Sequence, residues 1–215
     1  MENIKSLKNN YISINGSFGG SQLYFSNIKA PFNKAKKSAG CGIVAMGDVL
    51  AYLKSQNTFP SRESYINYFN KIARKILWIP NRFGLTFLRE TLGMAHHLKA
   101  ESLPFKCRWC FSTSKLLPRI ERMLDEDTPI IMCIPRTFGS KKDRLPFYDR
   151  EPVKVTSTSG HFVVVTGISV FQNEVFLEIS SWGNKYYINL NEYIAFQKHH
   201  IMGLLGNILL ICPKK

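Results

Sequence analysis

The sequence predicts a fold of the α+β class, because helical and strand patterns occupy different halves of the chain. Before about residue 100, apolar residues recur at spacings of three and four, which is typical of helices. From residue 160 onward, short apolar runs separated by turns indicate strands. Such segregation favours an antiparallel sheet over the parallel sheet of an alternating α/β fold. With 215 residues, the chain fits one sizeable domain or at most two small ones.

We predict a single domain over 1–215 in three parts: an N-terminal extension (1–32), a mainly helical part (33–128) and a mainly β part (129–215). The extension is polar and basic, with short extended pieces at 11–14 and 22–25. The first convincing helix spans 41–55, because four apolar residues share one of its faces. They are Ile43, Met46, Leu50 and Leu53.

The remaining elements follow from the same patterns. Ser61 can cap a second helix that runs to about Leu77, and Glu63 places a negative charge in its first turn, where the helix dipole favours one. A polar loop over 136–159 is long enough to be a functional lid or a binding loop. The other predicted elements are helices at about 86–98 and 114–124, and strands at 103–109, 129–134, 162–169, 174–179, 185–190 and 207–211.

Composition excludes several classes of protein. The chain is 45% apolar or aromatic and 20% charged, unlike a disordered segment. Its longest apolar stretches, 162–168 and 204–212, fall short of the roughly 20 residues of a membrane-spanning helix. No apolar segment of a secretory signal follows Met1, and the five cysteines are an odd number in a chain too large to need disulfides. We therefore expect reduced thiols and a cytoplasmic location.

A cysteine opens the first predicted helix, in the sequence Ala39-Gly40-Cys41-Gly42. A thiol in the first turn lies at the positive end of the helix dipole, which lowers its pKa towards that of a reactive thiolate. The two flanking glycines let a substrate backbone approach closely. The alternative is a buried and inert cysteine, which is the commoner fate of a free thiol.

A histidine and a tryptophan belong to two further motifs. His161 opens a strongly hydrophobic strand, directly after a turn of small residues. The next predicted strand ends in Ile179-Ser-Ser-Trp-Gly, 19 to 21 residues beyond His161. If the two strands form a hairpin, Ser180 can orient the imidazole and Trp182 can shield it from water. Taken singly, His161 is also consistent with a surface residue, and Trp182 with a core aromatic.

The order of these motifs resembles that of the papain-like cysteine peptidase superfamily. A cysteine at a helix start precedes a histidine at a strand start by 120 residues, and a polar residue then precedes Ser-Trp-Gly. The Cys-Gly before a hydrophobic helix and the Gly-His before a Val-rich strand are most similar to the bacterial branch that includes the bacteriocin-leader-processing peptidases. The resemblance covers roughly residues 33–190, and its motifs are specific in combination.

The resemblance implies a helical lobe, led by the helix of Cys41, packed against a barrel-like antiparallel β lobe that carries His161. It implies that Cys41 is the nucleophile and that His161 is the general base. Ser180 stands at the position of the family's Asn or Asp, and Trp182 at the position of its Trp. We expect neither a cofactor nor a metal ion.

Two departures from the family pattern leave a weakened or inactive site open. The family usually supplies an oxyanion-hole Gln a few residues before its Cys, but residues 34–40 contain none. Asn33 is the nearest amide side chain, and the backbone N–H of Cys41 could supply a second donor. Ser180 is the other departure, because a hydroxyl orients an imidazole less firmly than an amide or a carboxylate does.

Other constellations give weaker signals. Cys107-Arg-Trp-Cys110 has the spacing of half a zinc site but lacks a second cysteine pair. The net charge of +14, with basic runs at 34–37 and 141–144, favours an acidic partner. No DNA or RNA motif accompanies these charges, so we do not expect nucleic acid to be the partner.

The sequence therefore predicts a papain-like thiol hydrolase that cleaves a peptide or related amide bond through a Cys41 thioester. Its substrate is expected to be a peptide or protein, and an acidic one if the basic surface takes part. We predict that the 136–159 loop borders the cleft through Lys141, Lys142 and Arg144. The alternative is a catalytically weak or inactive papain-like domain that binds an acidic partner.

Overall fold

A computed structural model of the chain describes residues 1–25, 33–76, 86–137, 143–200 and 207–214, with only the backbone described at 33–39 and 73–76. These ranges contain five α-helices: α1 (Asn33–Leu53), α2 (Arg62–Ile76), α3 (Phe87–Ala100), α4 (Leu116–Asp125) and α5 (Leu190–His199). Their strands are β1 (Glu2–Ser6), β2 (Ser13–Ile14), β3 (Ser17–Phe18), β4 (Thr58–Phe59), β5 (Phe105–Cys110), β6 (Ile130–Ile134), β7 (Leu145–Tyr148), β8 (Lys154–Thr158), β9 (His161–Phe171), β10 (Glu174–Ser181), β11 (Asn184–Asn189) and β12 (Ile208–Pro213). The predicted α+β class is confirmed.

One large antiparallel sheet holds nine of the described strands, in the order β5-β12-β6-β9-β10-β11-β7-β8, with β1 also paired to β9. The first half of β9 pairs with β6 and the second half with β1, so β9 is an interior strand. His161 lies at the end of this interior strand, opposite Ile134, and not at an edge of the sheet. The described sheet is open, whereas the family resemblance implies a barrel-like one. A small second sheet has the order β3-β2-β4.

Helix α1 packs against β9 and β6 and carries much of the core. Its fully buried apolar residues include Ile43, Met46, Val49 and Leu50. The helix begins at Asn33, eight residues before the predicted start. Residues 34–39 are mostly Lys and Ala, which favour helix without forming an apolar repeat, so apolar periodicity alone missed them. Cys41 therefore lies in the third turn of α1 and not in the first.

The cap of α2 confirms the predicted start of that helix. The hydroxyl of Ser61 accepts a hydrogen bond from the backbone N–H of Ser64, at 3.1 Å. The hydroxyl of Ser64 accepts one in return from the N–H of Ser61, at 3.3 Å. Ser64 thus takes the reciprocal role that Glu or Gln has in a capping box.

None of the described helices has the length and apolar character needed to cross a membrane.

Two predicted segments differ from the structure, and one helix was not predicted. The 136–159 segment is not a single loop, because β7 and β8 form a hairpin within it, with alternate residues of β7 buried. The predicted charges Lys141 and Lys142 lie outside the described residues. Residues 22–25 form a 3-10 helix and not an extended piece. Helix α5 was not predicted, because it follows β11 directly with Asn189 as its N-cap.

Candidate active site

Cys41 and His161 line one narrow cavity of about 20 Å³, close to the room for one water molecule. Helix α1 contributes Cys41, Val44, Ala45 and Asp48, which share a face at spacings of three and four. Opposite them, the cavity is lined by Gly20, Gln22, residues 161–164 of β9, and Ser180, Ser181 and Trp182. The two residues that the sequence pairs across 120 positions therefore meet at the same cavity.

The imidazole of His161 is fixed on two sides. Its Nε2 lies 2.8 Å from the hydroxyl oxygen of Ser181. Its ring stacks on the indole of Trp182, with the ring centroids 4.6 Å apart and the planes inclined by 20°. Among the described residues Nδ1 has no hydrogen-bond partner, so this nitrogen is available for a proton from the cavity.

Ser180, the predicted orienting residue, does not contact His161. Its hydroxyl instead donates to the backbone oxygen of Phe18, at 3.0 Å. Adjacent residues of a strand point to opposite faces, so only one of the two serines can face the imidazole. A bulge in the β9–β10 pairing, between Glu178 and Ile179, shifts the register and gives that position to Ser181. The sequence-based assignment was wrong by one residue.

Trp182 reaches the imidazole through a strained turn. Trp182 and Gly183 both have positive φ values, 51° and 80°, as the two central residues of a tight hairpin turn between β10 and β11. Left-handed backbone costs a tryptophan about 1–2 kcal/mol. A side chain at position 183 would place its Cβ 2.8 Å from the hydroxyl of Tyr24, so glycine is required there. The geometry of this strained turn directs the indole of Trp182 onto the imidazole of His161.

Gln22 is a site residue that the sequence analysis missed. It lies beside Cys41, because a Cβ at Gly40 would approach the Cβ of Gln22 to 3.0 Å. Its side-chain oxygen is buried and has no partner among the described residues. Gln22 is the only glutamine before Cys41 in the sequence, and that was the available signal.

The predicted oxyanion donors are less well placed. Asn33 precedes Cys41 by eight residues on the same helix, a rise of about 12 Å, and its side chain lies outside the described residues. The backbone N–H of Cys41 lies inside α1, where the carbonyl four residues earlier is the expected acceptor. Gln22 is therefore the better candidate for the side-chain donor.

Asp48 holds the segment that carries Gln22 against α1. It is 1% exposed and accepts hydrogen bonds from the N–H of Gly20 at 2.8 Å, the hydroxyl of Tyr65 at 2.7 Å and the hydroxyl of Tyr11 at 3.4 Å. Burial raises the pKa of Asp48 from 3.8 to about 6, although these donors act to lower it. No sequence motif pointed to Asp48 as part of the site.

The thiol and the imidazole are both neutral in this closed form. Burial raises the pKa of Cys41 to about 11, with a smaller contribution from Glu90 in the same direction. Burial also lowers the pKa of His161 to about 4. The expected lowering of the thiol pKa by a helix start is wrong, because Cys41 lies well inside α1. An ion pair between the two requires water or substrate dipoles to enter the cavity.

Glu90 of α3 lies behind the cysteine. Its side chain is fully buried, and neither carboxyl oxygen has a hydrogen-bond partner among the described residues. A Cβ at Gly42 would lie 2.5 Å from its Oε2. Burial raises the pKa of Glu90 well above its ordinary value of 4.5, which favours the neutral form of the group.

The Cys107-Arg-Trp-Cys110 motif does not form a compact pair. Its two cysteines lie three residues apart on β5, so their side chains point to opposite faces of the sheet. Cys107 Sγ lies 3.5 Å from the backbone oxygen of Thr91. In the ranges that the structure describes, no three His, Cys, Asp or Glu side chains gather as metal ligands do.

A larger groove adjoins the cavity at Trp182, which lines both. Its volume is about 710 Å³, within the range of small-molecule and peptide sites. The described residues that line it are Asn15, Gly16, Ser17, Phe18, Ser21, Leu23, Tyr24, Arg62, Ile66, Trp182, Gly183, Asn184 and Lys185. A chain lying in this groove would reach the cavity at the β10–β11 turn.

Two comparisons of the sequence with known proteins find no match. No model of a known protein family matches the sequence. No curated protein is significantly similar to it either. Its function therefore has to be inferred from the chemistry of the described residues.

Proposed function

We propose that this protein is a papain-like cysteine hydrolase, which cleaves a peptide or related amide bond through a thioester on Cys41. The observation that carries the proposal is the shared cavity of Cys41 and His161. Ser181 and Trp182 fix the imidazole from two sides, and Gln22 lies next to the thiol. A nucleophile, a held base and an amide donor are the parts that acyl transfer requires.

Acylation begins with transfer of the Cys41 proton to Nδ1 of His161. In this mechanism Nε2 keeps its own proton and donates it to the hydroxyl of Ser181, which holds the imidazole in place. The thiolate adds to the substrate carbonyl carbon, and the side-chain N–H of Gln22 stabilises the oxyanion. The C–N bond then breaks, the amine leaves with the proton from Nδ1, and the acyl group remains on Cys41 as a thioester.

Deacylation reverses the roles of the same groups. A water molecule gives a proton to Nδ1 of His161 while its oxygen adds to the thioester carbonyl. The C–S bond breaks, the carboxylic acid leaves, and the proton returns to the Cys41 sulfur. Transpeptidation follows the same course with an amine in place of water.

The protonation state of the pair supports a second candidate, a weak or inactive papain-like domain that binds an acidic partner. In the closed form the thiol pKa is about 11 and the imidazole pKa about 4, which opposes proton transfer between them. The cavity is also too small for a peptide backbone. On the hydrolase proposal, substrate must open this cavity, whereas on the second it stays closed.

Active-ester peptides in a pooled set test the hydrolase proposal, with the acyl adduct located by peptide mass mapping. We expect an adduct on Cys41 of the parent that is lost in Cys41→Ala, and turnover about 10³-fold lower in His161→Ala. Ser181→Ala is expected to lower turnover about 10-fold or more, because the imidazole loses the hydrogen bond that holds its ring in place. Ser180→Ala is its matched control and should stay within a few-fold of the parent.

The two candidates predict opposite results. Equal acylation of several cysteines, or turnover unchanged in Cys41→Ala, would exclude the dyad. A folded parent that forms no adduct with any member of the set supports the binding domain. Equal effects of Ser180→Ala and Ser181→Ala would show that neither hydroxyl orients His161.

A further inference from the structure

We infer that the groove beside Trp182 is a binding site for a peptide carboxylate, with Arg62 as the residue that pairs with it. The inference rests on the proposed function in one respect, because it takes a peptide as the ligand. It goes further in naming the chemical class of that peptide and the residue that selects it.

The charge of the groove has one sign. Its described lining contains two cations, Arg62 and Lys185, and no Asp or Glu. Glu63, which follows Arg62 in the chain, is not among the described lining residues. A groove with cations and no carboxylate attracts an anionic ligand and disfavours a cationic one.

The two cations differ in availability. Lys185 is already paired, because its Nζ lies 2.8 Å from Oε2 of the buried Glu178. Arg62 has no carboxylate within ion-pair distance among the residues that the structure describes. It is instead held over the ring of Tyr24, 5.0 Å from the ring centroid. Arg62 is therefore the positive charge that a ligand can neutralise.

The chemistry of arginine favours a carboxylate as that ligand. A guanidinium is planar and always charged, and it can donate two parallel hydrogen bonds to one carboxylate. Stacking on Tyr24 restricts its orientation before the ligand arrives, which reduces the entropy lost on binding. Apolar surface lies beside it, at Leu23, which is 57% exposed, and at Ile66. The site therefore suits an acidic residue flanked by an apolar one.

The position of the groove connects it to the candidate active site. Trp182 lines the groove on one side and stacks on His161 on the other. Two backbone hydrogen bonds tie the groove lining to the cavity lining: the Gly183 N–H donates to the carbonyl of Gly20 at 3.0 Å, and the Phe18 N–H donates to the carbonyl of Gly183 at 2.9 Å. A peptide anchored at Arg62 would extend towards Cys41 past this turn.

Fluorescence anisotropy with the full-length Cys41→Ala variant tests the inference, since this variant can bind without turnover. Four labelled peptides share one apolar sequence: one with Glu and a C-terminal amide, one with Gln and a C-terminal amide, one with Gln and a free C-terminal carboxylate, and one with Lys and an amide. We expect one of the two carboxylate peptides to bind at least about 10-fold tighter than the Gln amide. Which one does so tells whether a side chain or a chain terminus supplies the carboxylate.

Matched charge variants locate the site. In the Cys41→Ala background, Arg62→Gln is expected to remove the carboxylate preference, and Arg62→Lys to retain only part of it because the paired hydrogen bonds are lost. Arg108→Gln is the control, because it removes one exposed charge from β5 and gives the same net charge. Equal weakening by Arg62→Gln and Arg108→Gln, or equal binding of all four peptides, would overturn the inference. A thermal melt confirms that each variant is folded.

Failure of this inference can be told apart from failure of the hydrolase proposal. If carboxylate binding depends on Arg62 but the parent forms no acyl adduct, the carboxylate site is supported and the hydrolase proposal is rejected. If an adduct forms on Cys41 but no carboxylate peptide is preferred, the hydrolase proposal is supported and the carboxylate site is rejected.

Discussion

Asp48 and Glu90 are both buried carboxyl groups packed against α1, yet Asp48 has three hydrogen-bond donors and Glu90 has none among the described residues. Asp48 ties the segment of Gly20 to the helix and so places Gln22 next to Cys41. Glu90 lies on the other side of the cysteine, against Gly42. The difference separates two buried acids by their effect: Asp48 holds the candidate site together, whereas Glu90 places an unpaired carboxyl group beside Cys41 at a cost in stability.

Burial raises the pKa of both groups, and hydrogen bonds decide by how much. The donors around Asp48 stabilise its ionised form and limit its pKa to about 6. Glu90 lies in the first turn of α3, where the helix dipole favours a negative charge, but burial outweighs this and raises its pKa further. At neutral pH we therefore expect Asp48 to be mostly ionised and Glu90 to be neutral.

The largest effect is expected from removing Asp48 as an acceptor. Asp48→Ala leaves the N–H of Gly20 and the hydroxyl groups of Tyr65 and Tyr11 buried without their partner, so we expect a loss of about 3–5 kcal/mol in the free energy of unfolding. Urea denaturation followed by tryptophan fluorescence measures it. Asp48→Asn keeps an acceptor oxygen and is the control, with a loss of about 1 kcal/mol or less near pH 5. A loss below about 1 kcal/mol in Asp48→Ala would show that the segment does not depend on Asp48.

The pH dependence of stability should separate Asp48 from His161. The folded pKa of Asp48 is raised from 3.8 to about 6, so its contribution is present below pH 3.8 and is lost as the pH rises through 6. The folded pKa of His161 is lowered from 6.5 to about 4, so its contribution is present above pH 6.5 and is lost as the pH falls through 4. The two contributions oppose each other across the same window.

The difference in stability between the parent and Asp48→Asn should therefore isolate the contribution of Asp48. From pH 7 to pH 4 the parent should gain about 2.4 kcal/mol relative to Asp48→Asn, because a shift of one pKa unit corresponds to about 1.4 kcal/mol and most of this shift is expressed within that range. Glu90 and His161 are present in both proteins and cancel in the difference. Urea denaturation at half-unit pH steps measures the difference, and His161→Gln is expected to change the slope in the opposite sense. Parallel curves for the parent and Asp48→Asn would mean that Asp48 titrates near its ordinary pKa.

The sequence predicted the elements of this fold better than their ends. Apolar periodicity found α1 through Ile43 and Leu50, and the Ser61 cap found α2, because both signals are local. Apolar periodicity did not find the start of α1, since residues 34–39 favour helix without an apolar repeat. It also missed β7 and β8, because their pairing with each other and of β7 with β11 is a tertiary contact.

The sequence predicted the site residues that belong to motifs, but not those that tertiary packing brings to the site. Cys41, His161 and Trp182 follow from their motifs, and the structure brings all three to one cavity. Ser181, and not Ser180, contacts His161 because a single bulge shifts the strand register, and no local sequence pattern shows this bulge. Gln22 comes to Cys41 from 19 residues upstream through tertiary contacts, among them the hydrogen bond from Gly20 to Asp48. Glu90 lies in a different helix from Cys41, so its proximity depends on the packing of α3 on α1.

The smallest effect, of opposite sign, is expected at Glu90. Glu90→Met keeps the length of the side chain and removes two buried oxygens without partners, so we expect a gain of about 1–3 kcal/mol in the free energy of unfolding at pH 7. Glu90→Gln is the matched control and should give no gain, because its amide is equally unpaired. A gain in the free energy of unfolding for Glu90→Met but not for Glu90→Gln shows that the buried carboxyl group destabilises the folded protein. A loss in both variants would mean that Glu90 has a partner in solution, and the contrast with Asp48 would then disappear. If Glu90→Met is more stable but forms the Cys41 adduct more slowly than Glu90→Gln, the polar group acts on the reaction, and its cost is of the kind that active sites retain.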